Sequence, residues 1–393
     1  MSTAVVLSGG AALAAFEVGV LNALARGLSP ATGFRPLTPD IITGTSAGAF
    51  NASLCLSFAH RGFGYAASAA EWIWLNHVAE GPGSCGGIVR LRANPSYLTS
   101  PSCDGRNPSE GLRLFAGDSV FLARQAVDRT VAFLHSSGTA EKRALDVLDI
   151  SVLVSTDGFR ELVAATLNLE AIRRSPIQLR IAATNWRSGT VSVFGNADMV
   201  DGRGYDIVLG SAAVPGIFPP VTIDRELYAD GGLSLNTPLG PAIDAGADTI
   251  HVVYVNPAVD SIPIVTTGST LADCYRILAI TLAVGFDHEI KRAQRINAGL
   301  EVLRGAHTAP GPERDKGVVE TAGALRRQLL KTVPYRHLTI HRHFYKGKSS
   351  AFDWLTFRRD RIEAMMNDGV AAAIDHDCKA NQCVGIRRAE PIL

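Results

Sequence analysis

The segment Ile41 to Phe50, IITGTSAGAF, places Ser46 at the centre of a Gly-x-Ser-x-Gly pattern between an apolar run and an alanine-rich one. A serine held where a strand turns sharply into a helix presents its hydroxyl for attack, and Gly44 and Gly48 leave the room that such an elbow needs. The start of the following helix also favours developing negative charge. A nucleophilic serine further requires a base to take its proton and donors for the oxyanion formed on attack. Without those two aids the pattern reads equally well as a glycine-rich turn.

The sequence offers one candidate for each aid. LSGGAA, directly after the first apolar run, supplies Gly9 and Gly10, whose backbone N–H groups can turn toward a ligand without side-chain obstruction. A simple strand-to-helix turn is an equal reading of that segment. Neither Gly-x-Gly-x-x-Gly nor Gly-Lys-Ser/Thr is present, so it is not a dinucleotide or phosphate loop. For the base, a histidine triad is the weaker reading: His251 and His288 fall within strand and helix patterns, and none of the ten histidines lies in a distinctive glycine turn. Asp230, in YADGGLSLNTP, ends a strand pattern at the glycine pair Gly231 and Gly232. The other Asp-Gly pairs, at Asp104, Asp157, Asp201 and Asp368, lack the second glycine and read as ordinary turns. An aspartate of pKa near 4 is a poor base for a hydroxyl, so a Ser46–Asp230 dyad requires partial burial to raise the carboxylate's pKa.

The elements that must position these residues follow from the hydrophobic pattern. Ala4–Ser8 reads as a first strand and Ala12–Arg26 as a helix, with Phe16, Val20, Leu21 and Leu24 at helical spacing. DIITG is a second strand, followed after Ser46 by a buried helix. The stretch from Gly81 to Asn107, rich in glycine, proline and serine, is expected to be a long loop suited to a lid or entrance. Helices are predicted over Glu110–Leu134 and Gly158–Arg174. IQLRIAATNW and TVSVF then read as strands joined by the turn RSG. A helix stopped by Pro215, an extended stretch held by Pro219 and Pro220, and a strand before Asp230 come next. TIHVVYV and Leu338–Phe344 are further strands. The closing helix, about Trp354–Ile374, is expected to bury Phe357, Ile362, Met365 and Met366, and the polar run His307–Gly317 is the best internal linker. The alternation of strands and helices predicts an α/β layered fold.

Composition narrows the classes. The 393 residues are 47% hydrophobic, enough for a large core, with a formal net charge of +1 and basic residues scattered along the chain. No nucleic-acid partner is expected. The N-terminal segment has no basic leader, and its apolar stretch is broken by Gly9, Gly10, Glu17 and Asn22, so it reads as folded structure and not as a signal peptide. The longest later apolar run, Ile277–Phe286, is too short to span a bilayer. A cytoplasmic or peripheral-membrane protein is the expectation.

The six cysteines, Cys55, Cys85, Cys103, Cys274, Cys378 and Cys383, are widely spaced and fit reduced thiols better than a disulfide framework. Pairs at Cys85/Cys103 or Cys378/Cys383 are the two bridges an oxidising compartment would allow. HRH at His341 and His343, and DHDCKANQC at Asp375–Cys383, contain metal-ligand types, but their spacings match no familiar zinc pattern, so no metal is expected.

Taken together, VVLSGGAALAAFEVGVLNAL, GTSAG, AAVPGIFPPV and YADGGLSLNTPL stand in the order and approximate spacing of the patatin-like phospholipases, which the chain resembles from about Val5 to Ala247. FRRDRIEAMMNDGVAAA looks like that family's closing segment. The resemblance implies a three-layer α/β/α sandwich with a mainly parallel central sheet and a mostly helical C-terminal extension. It divides the chain into a catalytic core at 4–247 and an extension packed on it at 248–393. It also implies Ser46 as nucleophile, Asp230 as general base and then acid, an oxyanion hole around Gly9, Gly10 and Ala11, and hydrolysis of phospholipids or other acyl lipids without cofactor or metal. Such substrates predict transient contact of the Gly81–Asn107 region with a membrane or micelle surface; the oligomeric state is left open. One departure stands out: Ala11, Leu13 and Ala14 occupy places where the family usually has a third glycine, a basic residue and another glycine. Ala11 in left-handed backbone would carry about 1 to 2 kcal/mol of strain, and Leu13 would remove a charge useful for anionic substrates. The competing expectations are a carboxylesterase or thioesterase for soluble acyl substrates, and a non-catalytic lipid- or protein-binding relative.

Overall fold

The computed structural model describes residues 2–79, 88, 90–93, 108–135, 154–256, 270–308, 336–347 and 356–386, with isolated positions between 317 and 328. The described residues include ten strands: β1 (Thr3–Leu7), β2 (Ile41–Thr45), β3 (Arg90–Leu91), β4 (Val154–Ser155), β5 (Gln178–Asn185), β6 (Val191–Gly195), β7 (Val221–Ile223), β8 (Glu226–Ala229), β9 (Thr249–Tyr254) and β10 (Thr339–Phe344). Eight of them form the central sheet, in the order β10-β9-β1-β2-β5-β8-β7 with β6 also paired to β5, while β3 and β4 make a separate small ladder. β10, β9, β1, β2 and β5 run parallel; β6 and β8 pair antiparallel to β5, and β7 antiparallel to β8.

The parallel strands are buried on both faces, which is why their sequences are nearly continuous runs of apolar residues. Side chains still alternate between two cores. Val5, Leu7, Ile42 and Val253 face one core, and Ala4, Val6, Ile41, Ile250 and Val252 face the other. On the first face lie α1 (Ala15–Ala25), α2 (Ala47–Phe58), α3 (Phe63–Ile73) and the C-terminal helix Arg359–Ile374. Helix Leu239–Asp244 and Phe286, Ile290 and Ala293 of the long helix Thr270–Thr308 cover the second. The fold is thus a three-layer α/β/α sandwich around a mainly parallel sheet, as the sequence predicts.

Several boundaries differ for local reasons. The predicted helix from Ala12 opens as a 3-10 turn, Ala11–Ala14, before α1 begins. Glu17 and Asn22, read as polar breaks, are buried: Asn22 donates to Glu71 Oε2 at 3.0 Å and to Ala67 O at 3.3 Å, and Asn51 donates to Glu17 Oε2 at 2.9 Å. Asp157 and Asp368 are not in turns: Asp157 opens the helix Asp157–Thr166, and Asp368 lies within the C-terminal helix, where Gly369 lets that helix approach α1. A Cβ on Gly369 would stand 2.1 Å from Phe16 O, and one on Gly19 would stand 2.0 Å from Met366 O. The predicted helix over Gly158–Arg174 is two helices, Asp157–Thr166 and Leu169–Arg174. Most of the Gly81–Asn107 loop, the Cys85/Cys103 pair and most of the His307–Gly317 run lie outside the described residues.

Candidate active site

Three strand ends converge on one place, the carboxyl edge of the parallel sheet where open α/β folds gather their ligands. β1 delivers Ser8, Gly9 and Gly10, β2 delivers Ser46, and β8 delivers Asp230.

Ser46 sits between β2 and α2 with φ 55° and ψ −124°, a conformation that L-residues rarely adopt. Strain of about 1 to 3 kcal/mol is normal for such a residue and persists only where its surroundings over-determine it. Here they do. A Cβ at Gly44 would lie 2.3 Å from Gly48 O, and one at Gly48 would lie 2.6 Å from Leu7 O, so strand, elbow and helix approach closer than any side chain permits. The Ser46 amide donates to Ser211 Oγ at 2.9 Å, and Ser211 Oγ donates to Ala182 O at 2.7 Å.

Asp230 is buried beside this elbow. Its Oδ1 accepts the Gly232 N–H at 2.6 Å, its backbone N–H donates to Ala213 O at 2.8 Å, and its carbonyl accepts Thr184 Oγ1 at 2.8 Å. Gly231 passes so close to β5 that a Cβ there would stand 2.3 Å from Ala182 O. Burial pushes the carboxyl up to about 6, against the lowering pull of the Ser46 hydroxyl and the Gly232 N–H. Oδ2 is buried without a complete hydrogen bond, although Ser46 is near enough to stabilise the ionised carboxylate. An incomplete bond of this kind is common where a base awaits substrate.

The segment carrying Asp230 is strapped across the site. Thr45 Oγ1 donates to Leu235 O at 2.8 Å and Thr43 Oγ1 to Pro238 O at 2.9 Å. Gly9 and Asn236 clasp each other, Gly9 N donating to Asn236 O at 3.1 Å and Asn236 Nδ2 to Gly9 O at 3.3 Å. Gly9, one of the expected oxyanion donors, thus has its amide engaged with Asn236. Its lack of a side chain still matters, since a Cβ there would meet Asn236 Oδ1 at 2.5 Å and Ser46 Cβ at 3.0 Å. Among the described residues, the amides of Gly10 and Ala11 find no protein acceptor, and neither does that of Ala47, immediately after Ser46. Ala47 was missed in the sequence, although its place after the serine at a helix start is the usual signal for such a donor.

Ala11 takes φ 47°, the left-handed backbone that a third glycine would fill without strain. Leu13 is only 2% exposed and packs in the core. A charge at that position would meet hydrocarbon from this backbone.

Ala11, Ser46 and Ala47 line a pocket of about 500 Å³, its open mouth included. Its walls are apolar, built from Phe50, Trp74, Val78, Phe159, Phe218 and Phe357, with Ile88 from the 81–107 region. Ser46 brings the hydroxyl. The Trp74 indole N–H is occupied, donating to Asn51 Oδ1 at 2.7 Å. Asn51 in turn donates to Ala14 O at 3.0 Å and to Glu17, whose carboxyl burial raises well above the carboxylate range. The pocket lining contains no set of metal-ligating side chains. Among the described residues one such set exists elsewhere: His341, His376, Cys378 and Cys383.

The sequence profile described as patatin-like phospholipase matches residues 5–243. Uncharacterized NTE family proteins of Mycobacterium bovis and Mycobacterium tuberculosis are 27% identical over 177 residues, covering 40% of this chain and 48% of each relative. The match thus spans about half the length of those relatives. The crystal structure of VipD from Legionella pneumophila superposes with a TM-score of 0.32 at 14% identity, covering 94% of this chain and 67% of that one. The profile spans more than half of the sequence and takes in the glycine loop, the Ser46 elbow and Asp230, and the chain belongs to the patatin-like phospholipase family.

Proposed function

We propose that the protein is a serine lipid acyl hydrolase that cleaves carboxylic esters of phospholipids or related acyl lipids through an acyl-enzyme on Ser46. The observation that carries this reading is the coincidence of a strained serine, a buried aspartate with its pKa raised to about 6, and an apolar pocket opening on that serine. Asp230 takes the proton of Ser46 Oγ as the oxygen attacks the ester carbonyl carbon. The carbonyl oxygen becomes an oxyanion held by the N–H groups of Gly10, Ala11 and Ala47. Asp230 then returns the proton to the leaving alcohol. In the second half it removes a proton from water, whose oxygen attacks the acyl-enzyme, and protonates Ser46 as the acid departs.

A raised carboxyl suits this role because a base works best with a pKa near the operating pH. The apolar pocket suits an acyl chain and so supports an acyl lipid, without pointing to any head group. Residues 4–247 carry the chemistry in this reading, and 248–393 complete the sheet and cover it. In this reading the substrate is met by transient contact at a membrane or micelle surface; no helix among the described residues is long and apolar enough to cross a membrane.

Hydrolysis of a chain-length series of p-nitrophenyl esters and of phospholipid vesicles, with fluorophosphonate labelling in parallel, tests the proposal. Labelling of Ser46 with turnover rising toward longer chains supports it. Turnover of short soluble esters alone would favour a carboxylesterase or thioesterase, and silence in both assays would favour a binding protein.

A further inference from the structure

The turn after the C-terminal helix brings two cysteines and a histidine against the outermost strand of the sheet. His341 lies on β10, while His376, Cys378 and Cys383 come from the turn. One nitrogen or sulfur atom from each lies within 4.8 Å of all the others. Cys378 Sγ is 3.3 Å from His376 Nε2 and 3.4 Å from His341 Nδ1, and Cys383 Sγ is 3.4 Å from His376 Nε2. A tetrahedron with Zn–S and Zn–N bonds of ordinary length has edges of about 3.3 to 3.8 Å. Three edges are thus already at coordination distance, and the widest separation needs to close by about 1 Å.

The frame that holds these atoms is fixed on both sides. Ile340 N donates to Val384 O at 2.9 Å and Val384 N to Ile340 O at 3.0 Å, which pins the end of the turn to β10. Within the turn, Cys383 N donates to Cys378 O at 3.0 Å and Asn381 N to Asp377 O at 2.8 Å. The side-chain amide of Asn381 lies 3.1 Å from His376 Nδ1. Asn381 Nδ2 faces the ring; a 180° turn of the amide brings Oδ1 there to accept the Nδ1–H, which leaves the Nε2 lone pair aimed at the cysteines. His251 stacks on His341 with ring centroids 5.0 Å apart, and His343 packs on His376 at 4.6 Å, so both ligand rings are held in place.

We propose that His341, His376, Cys378 and Cys383 form a closed Cys2His2 zinc site that fastens the turn after the C-terminal helix to the edge of the sheet. Two sulfurs and two imidazole nitrogens select a borderline-soft ion in tetrahedral geometry over calcium or magnesium. Four protein ligands leave no open position for substrate, so the role is structural. Binding transfers the two thiol protons to solvent and leaves two thiolates on the ion. The sequence reading expects no metal here because the spacing within Asp375–Cys383 is unfamiliar. The fourth ligand comes from a strand 37 residues before Cys378, which no local pattern contains.

The test uses the untagged full chain purified under reducing conditions. Elemental analysis is expected to find about one zinc per chain. Cobalt substitution is expected to give thiolate-to-metal charge-transfer and tetrahedral d–d bands, and zinc is expected to shield Cys378 and Cys383, but not unrelated thiols, from alkylation mapped by mass spectrometry. Cys378→Ser with Cys383→Ser should lower zinc content about tenfold or more, and Asn381→Ala should weaken affinity about tenfold. Chelation should lower the melting temperature of the wild type and leave the double variant unchanged. Zinc-free protein that takes up no zinc or cobalt after reduction overturns the proposal, as does full zinc content in the folded double variant. A Cys378–Cys383 disulfide that persists in excess zinc under mild reductant also overturns it. If the double variant fails to fold, the cobalt spectrum and alkylation map of the wild type decide alone.

Discussion

The backbone amide of Ser46 is held by the side chain of Ser211, which donates its own proton onward to Ala182 O. One hydroxyl therefore joins the Ser46 elbow to β5. Ser211→Ala would leave a buried N–H and a buried carbonyl short of a partner, a loss of about 1 to 3 kcal/mol each at most. The expected result is a lower kcat with KM nearly unchanged, read from steady-state kinetics on a p-nitrophenyl ester. A change confined to thermal stability would deny Ser211 a positioning role.

Ser46→Ala is expected to abolish fluorophosphonate labelling, and both Ser46→Ala and Asp230→Asn to lower ester turnover by roughly 10³-fold or more. Circular dichroism melts on the same preparations separate this from unfolding. Substantial turnover by folded Asp230→Asn would remove Asp230 from the role of base.

The raised carboxyl of Asp230 gives two linked pH dependences. Activity should fall on the acid side with an apparent pKa of about 6, because the protonated acid cannot accept the serine proton. For stability, the folded state holds the Asp230 proton more tightly than the unfolded chain, whose pKa is near 3.8. That preference favours folding fully below pH 3.8 and is lost as pH rises through about 6, by about 3 kcal/mol. Asp230→Asn escapes the loss, so its melting temperature should gain on the wild type between about pH 4 and pH 8. A constant difference across that range would mean that the carboxyl is not buried as described.

Ala11→Gly should stabilise the protein by about 1 kcal/mol by relieving left-handed alanine backbone. Leu13→Arg should destabilise it by about 3 kcal/mol or more, since it places a charge in a packed core. Denaturant melts of the two single variants check both signs. Stable, more active Leu13→Arg enzyme would show that position 13 turns toward substrate.

Much of this site is legible locally. Ser46 and Asp230 are flagged by their glycines, and the structure brings them together. What escaped the sequence depends on partners distant along the chain. Gly9 loses its amide to Asn236, more than two hundred residues later. Glu17 looks like a polar break because its partner Asn51 belongs to another helix. Leu13 occupies a place where charge is usual, and only the packing shows that it faces hydrocarbon. The layered α/β class was readable because strand and helix periods are strong, and the count of three layers followed from the family resemblance, whereas helix starts near Ala11 and Arg359 turn on backbone details that periodicity does not carry.

Ala212 lines the apolar pocket beside Ser46, and a phenyl ring there would fill part of it. Ala212→Phe is expected to shift the preferred p-nitrophenyl ester to a shorter chain while leaving acetate turnover within about threefold. An unchanged chain-length profile would place the acyl chain elsewhere.

The contact of Gly19 with Met366, and of Gly369 with Phe16, has a bearing on biosynthesis. α1 starts just after the glycine loop, and β1 lies between β2 and the much later β9. A ribosome must therefore release the chain through Tyr254 before the first strand gains both neighbours, and through Ile374 before the first helix gains its cover. Long-range closure of this kind slows assembly and exposes apolar surface meanwhile. A nascent chain stopped at the end of the family match, residue 243, would carry every catalytic group named above, yet leave one edge of β1 unpaired.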